Sequence, residues 1–163
     1  MGFLPQPTES ELEGAEAQLA VAFREEHGDL TPLDRTLLGS AVVFEAYRGW
    51  FTLREEIEPY LGERAVALFA HEIARAYGAD AVAGRFREWL IAEGDDPDHP
   101  QVTEAESLLL EWGAQLGRGA ATVDSALVQR VEATFQPRLR LLLTAFAGLT
   151  AARCLVSTAG GRR

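Results

Sequence analysis

No stretch of this chain alternates apolar and polar residues as a half-buried strand does, and that excludes more folds than any other feature. The apolar residues recur instead at three- and four-residue spacing, between helix start and stop signals. Thr8-Glu9-Ser10-Glu11 has capping-box spacing and predicts a first helix that begins after Pro7 and runs to about residue 26, ahead of Gly28-Asp29. Thr31-Pro32 starts a second, carrying Leu33, Leu37, Leu38, Val42 and Phe44 and bending or breaking around Gly49. Residues 50–60 continue as helix or tight turn, closed by Pro59 and Gly62. A third helix covers residues 63–77 and stops at Gly78, and Asp80 caps a fourth over 81–92. The run Asp95-Asp96-Pro97-Asp98-His99-Pro100 reads as a solvated loop. Thr103-Glu104-Ala105-Glu106 is a second capping box, opening a fifth helix to about Gly117; Thr122-Val123-Asp124 starts a short sixth. Gln136-Pro137 starts a long seventh over about 138–158. The expectation is an all-α bundle of about seven helices in a single domain, residues 1–163, with flexible ends at 1–7 and 160–163.

Charge narrows the function classes. Fifteen basic residues against twenty-five acidic ones leave a formal net charge of −10, the wrong sign for gripping phosphates or an anionic membrane. Every basic residue except the histidines is Arg; there is no Lys and no Asn, a bias expected of a high-GC bacterium. No lysine Schiff base and no asparagine oxyanion donor is therefore available. The single cysteine, Cys154, excludes an internal disulfide, a C-x-x-C pair and a multi-thiolate zinc site. The first residues, Met1-Gly2-Phe3-Leu4-Pro5-Gln6-Pro7, lack the n-region and h-region of a signal peptide, and Arg153 interrupts the most apolar stretch, 141–157. A soluble, cytoplasmic protein is expected. Residues 139–156 are apolar nearly all round, hard to bury in one small chain, so at least a homodimer is expected.

Two stretches resemble the carboxymuconolactone decarboxylase and alkylhydroperoxidase D-like superfamily. One is Glu63-Arg64-Ala65-Val66-Ala67-Leu68-Phe69-Ala70 through Ala76-Tyr77-Gly78-Ala79, similar to the apolar helix and small-residue turn that precede that family's active-site helix. The other runs over 106–160, where Leu108-Leu109-Leu110-Glu111-Trp112-Gly113, Val123-Asp124 and Phe135-Gln136-Pro137 follow the family's last helices in order. The resemblance covers roughly residues 30–160 and implies that family's bundle and homo-oligomeric assembly. It does not carry the activity. The C-x-x-C of the peroxidase members falls on Ala79 and Val82, their His on Phe86 and their Glu on Ala67. A thiolate at a helix N-terminus and a Glu–His proton relay are thus both replaced by inert side chains.

His71 is the strongest remaining candidate for acid–base chemistry, one turn beyond Ala67 on the same helix side. Arg75 or Arg85 would orient a substrate carboxylate, with Tyr77 and Trp89, beside Tyr47 and Trp50, lining an aromatic cavity. The plainer reading leaves His71 as a helix-interface histidine, pairs Glu72 with Arg75 along the helix, and sets Arg85 and Arg87 on a solvated face. His71-Glu72-Ile73-Ala74-Arg75 resembles H-E-x-x-H, but Arg75 replaces the second His, so no metal is expected. Arg153, in an apolar helix, is expected to meet a carboxylate from a neighbouring helix or subunit, and Cys154 to act as a small buried hydrophobe. Two readings follow. The first is a cofactor-free, non-redox enzyme that decarboxylates, isomerises or cyclises a small anionic or aromatic substrate by proton transfer. The second is a catalytically inactive binding or assembly subunit. A solid core around Ala67, Val82 and Phe86 would favour the second.

Overall fold

The computed structural model describes residues 3–119, 121 and 123–161. Met1, Gly2 and Thr122, named above, and residues 162 and 163 of the expected flexible end lie outside the described residues. Among the described residues the chain is all-helical, with no strand. Eight α-helices follow in order: α1 Gly14–His27, α2 Pro32–Leu37, α3 Ala41–Leu61, α4 Glu63–Tyr77, α5 Asp80–Ala92, α6 Glu104–Arg118, α7 Ser125–Thr134 and α8 Pro137–Gly161.

Local chemistry accounts for most of these boundaries. Thr31 and Thr103 form reciprocal capping boxes with Asp34 and Glu106, and the Asp124 side chain accepts from the Ala126 N–H. Gly78 ends α4 in the left-handed region, at φ 82°. Other boundaries depart from the sequence reading. The Thr8–Glu11 box is formed but closes only a 3-10 turn, Glu9–Glu11; Leu12 is extended at ψ 133°, and α1 starts at Gly14. The second helix breaks after Leu37 rather than at Gly49, which lies inside a continuous α3. A helix-interior glycine costs about 1 kcal/mol, which the burial of neighbouring Trp50 offsets. Pro59 is carried in the last turn of α3, where its missing N–H costs one helical hydrogen bond. Ala79, not Asp80, precedes α5. The ends are also better tied than expected: the Gln6 amide donates to the Pro32 carbonyl at 3.1 Å, and Gly160 and Gly161 complete α8.

The chain comprises two compact units, residues 1–49 with 155–163 and residues 50–154. In the first, Phe23 meets Phe44 edge to face at 5.5 Å, beside buried Leu37 and Leu38, and Glu16 accepts from the Ala41 N–H at 3.1 Å. In the second, Phe146 of α8 stacks between Trp50 at 5.1 Å and Phe69 at 6.3 Å. The Trp50 indole N–H donates to Thr150 Oγ1 at 2.9 Å, and that hydroxyl donates to the Phe146 carbonyl at 2.8 Å. Helices α4 and α6 meet at two glycines: a Cβ on Gly113 would touch the Phe69 ring at 2.9 Å, and one on Gly117 the Ile73 carbonyl oxygen at 2.5 Å. Helix α8 is long and apolar enough to cross a membrane, with a mean hydropathy of 1.6, and 33% of its most apolar window is buried. Its inward side is the core just described.

Candidate functional site

The α4 face singled out from sequence lies within the second unit and is closed. Ala67 and Leu68 pack with Leu90 of α5, against Trp89, Val102 and Leu110. Val82 and Ala83 are buried, and Phe86 lies 6.0 Å from the Trp50 ring. His71 is only 6% exposed. Burial holds its pKa below the ordinary histidine value of 6.5, so the imidazole is neutral at physiological pH. Glu72, Arg75, Arg87 and Asp98 are its charged neighbours.

Of the expected substrate-binding residues, Arg75 neighbours this imidazole, and its guanidinium is already paired. Glu72 takes Arg75 with two hydrogen bonds, at 2.9 and 2.6 Å, so the i, i+3 pairing is realised. Arg85 is exposed on α5, and Tyr77 is exposed at the end of α4. Trp89 is part of the packed cluster beside Ala67. Arg87 pairs with Asp98 and holds that carboxyl below its ordinary pKa. No group of three or more His, Cys, Asp or Glu side chains among the described residues is placed to hold a metal ion.

Arg64 is the residue that the sequence reading missed. Its Nε and Nη2 take Asp95 at 2.5 and 3.2 Å, its Nη1 takes Glu106 at 2.8 Å, and its Nη2 also donates to the Gln101 carbonyl at 2.8 Å. The 95–100 segment is a loop whose Asp96, Asp98 and His99 are exposed, as expected, but it is anchored through Asp95 and buries Pro97. A signal existed. A cation in the first turn of a helix opposes the helix dipole, and Arg64 has Tyr60 and Leu68, not acids, four residues away. Such a residue points to a tertiary carboxylate.

Elsewhere, Arg153 lies over the Trp50 and Phe51 rings at 5.0 and 5.4 Å, a cation–π arrangement. Cys154 is fully buried, and burial pushes its thiol up to about 11, so it holds no thiolate at neutral pH. In the first unit, a cleft of about 1240 Å³ is lined by Phe3, Leu4, Glu13, Glu16 and Leu38, none of them an expected site residue. The chain matches no protein-family model, no curated protein and no solved structure.

Proposed function

We propose that this chain is a non-catalytic helical assembly subunit of the cytoplasm that associates with a second copy of itself through α8. The observation that carries the reading is the closure of the α4 face. Ala67, His71 and Val82 are buried, and the arginines that would orient a substrate are paired along α4 or exposed on α5. Surface chemistry supports the partner. Helix α8 contains no acidic residue in a chain of net charge −10, so it can meet its own copy without opposing carboxylates. Within residues 141–148, Leu141 is 70% exposed, Thr144, Ala145 and Gly148 are exposed, and a Cβ on Gly148 would meet nothing. The Thr144 hydroxyl is satisfied by the Arg140 carbonyl at 2.7 Å, which leaves that stripe without an open polar demand. Descent from the carboxymuconolactone decarboxylase-like superfamily agrees with the helix order from α4 to α8, and the reading does not depend on it.

Sedimentation equilibrium tests this. The expected mass is twice 17.8 kDa, and Gly148→Arg is expected to return the monomer with helical circular dichroism intact. A wild-type monomer at high micromolar concentration, or a Gly148→Arg dimer, overturns it. One observation favours a second reading, proton transfer by a cofactor-free enzyme: His71 is buried on α4, and burial favours its neutral form, the form a general base needs. That chemistry needs the α4 face to open.

A further inference from the structure

The segment between α5 and α6 is tied down more heavily than a connection of its length requires. Asp95 and the Gln101 carbonyl are held by Arg64 of α4, Asp98 by Arg87 of α5, and Pro97 is buried between those attachments. Val102 packs on the Ala67, Leu68 and Leu90 cluster, while Asp98 is a charged neighbour of His71. The segment thus runs along the side of α4 that bears Ala67 and His71. Gly94, at φ 87°, marks one end and the extended cap Thr103 the other. Its own chemistry suits reversible release, because a partly exposed Arg–carboxylate pair is weak and screened by salt. The Arg87–Asp98 side chains are 45% and 55% exposed, which places that attachment in this class, while Arg64 holds the 12% exposed Asp95 with two bonds and is the firmer latch.

We propose that residues 95–102 form a strap, latched by Arg64 and Arg87, that opens as a unit to uncover His71 on α4. The inference holds whether or not α8 self-associates. Opening is a local event, with the rest of the helical core left intact. Two prolines, Pro97 and Pro100, restrict the strap's own backbone, so it moves as a stiff piece rather than melting residue by residue. The groups facing His71 are Glu72 and Arg75 on α4, Arg87 on α5 and Asp98 on the strap.

His71 itself reports the opening. In a His27→Gln, His99→Gln parent it is the only histidine, and its carbethoxylation by diethyl pyrocarbonate at pH 7.5 reads access to the neutral ring. Arg87→Gln is expected to raise the rate about two- to five-fold, as loss of a weak exposed ion pair would, and Arg64→Gln with Arg87→Gln to raise it further, as loss of the firmer latch would. Asp98→Asn cuts the same latch from the strap side and is expected to act like Arg87→Gln. Adding 0.5 M sodium chloride is expected to accelerate the parent and leave the double variant unchanged. Thiol labelling of Cys154, followed in parallel, separates strap opening from loss of the fold and is expected to stay at the parent rate. The proposal is overturned by equal His71 rates in the parent and all three variants, by a parent rate already equal to that of free imidazole, or by His71 and Cys154 rates that rise together.

Discussion

At the scale of single residues, the second unit depends on a few polar atoms placed deep among rings. Thr150 is 1% exposed and accepts the Trp50 indole N–H while donating to the Phe146 carbonyl. Thr150→Val keeps the volume and removes both bonds, leaving a buried indole donor without its acceptor. Urea denaturation is expected to show a loss of about 1–3 kcal/mol. His71 makes a different kind of contribution. Its folded pKa lies below 6.5, so on acidification the unfolded chain takes up its proton first. Stability attributable to this residue is therefore full above pH 6.5 and falls as the pH drops from there toward the lowered folded value. His71→Leu is expected to lose less stability between pH 7 and pH 5 than the wild type, measured by denaturation at each pH. An equal loss in both proteins would place the acid sensitivity elsewhere.

Among the elements, the contact of α4 with α6 is the tightest to perturb. Gly117 lies so close to Ile73 that an added methyl would sit 2.5 Å from a carbonyl oxygen, an atom the α4 backbone holds in place. Gly117→Ala is expected to cost about 1–3 kcal/mol despite the better helix propensity of alanine. Gly84, in α5, has open space where its Cβ would be, and Gly84→Ala is expected to stabilise by about 0.5–1 kcal/mol. Thermal unfolding of the two variants should move in opposite directions. Helix identity and most boundaries were legible in the sequence because their causes are local: Thr103 with Glu106, Asp124, and Gly78. The first capping box misled because the same local bond can close one 3-10 turn as readily as an α-helix. Gly49 misled because tertiary burial overrides a weak intrinsic preference.

For the molecule as a whole, charge governs behaviour outside the core. A chain of net charge −10 repels its own copies, so association through an uncharged stripe on α8 is expected to strengthen as salt rises from 50 to 500 mM. A dimer that weakens over that range would point to an ionic interface instead. The candidate site was only partly legible. His71, Arg75 and Ala67 could be placed on α4 from spacing, yet their access depends on Val102, Asp98 and Arg64, which meet them only through the fold. The lone sulfhydryl was legible as buried, and its placement has a practical consequence. Cys154 is wholly enclosed and burial pushes its pKa up to about 11, so a chromogenic disulfide reagent finds no accessible thiolate in the native protein at neutral pH. Nature has left one silent tripwire in this chain, and its first signal will time the breach of the hydrophobic interior, with no dye or tag attached.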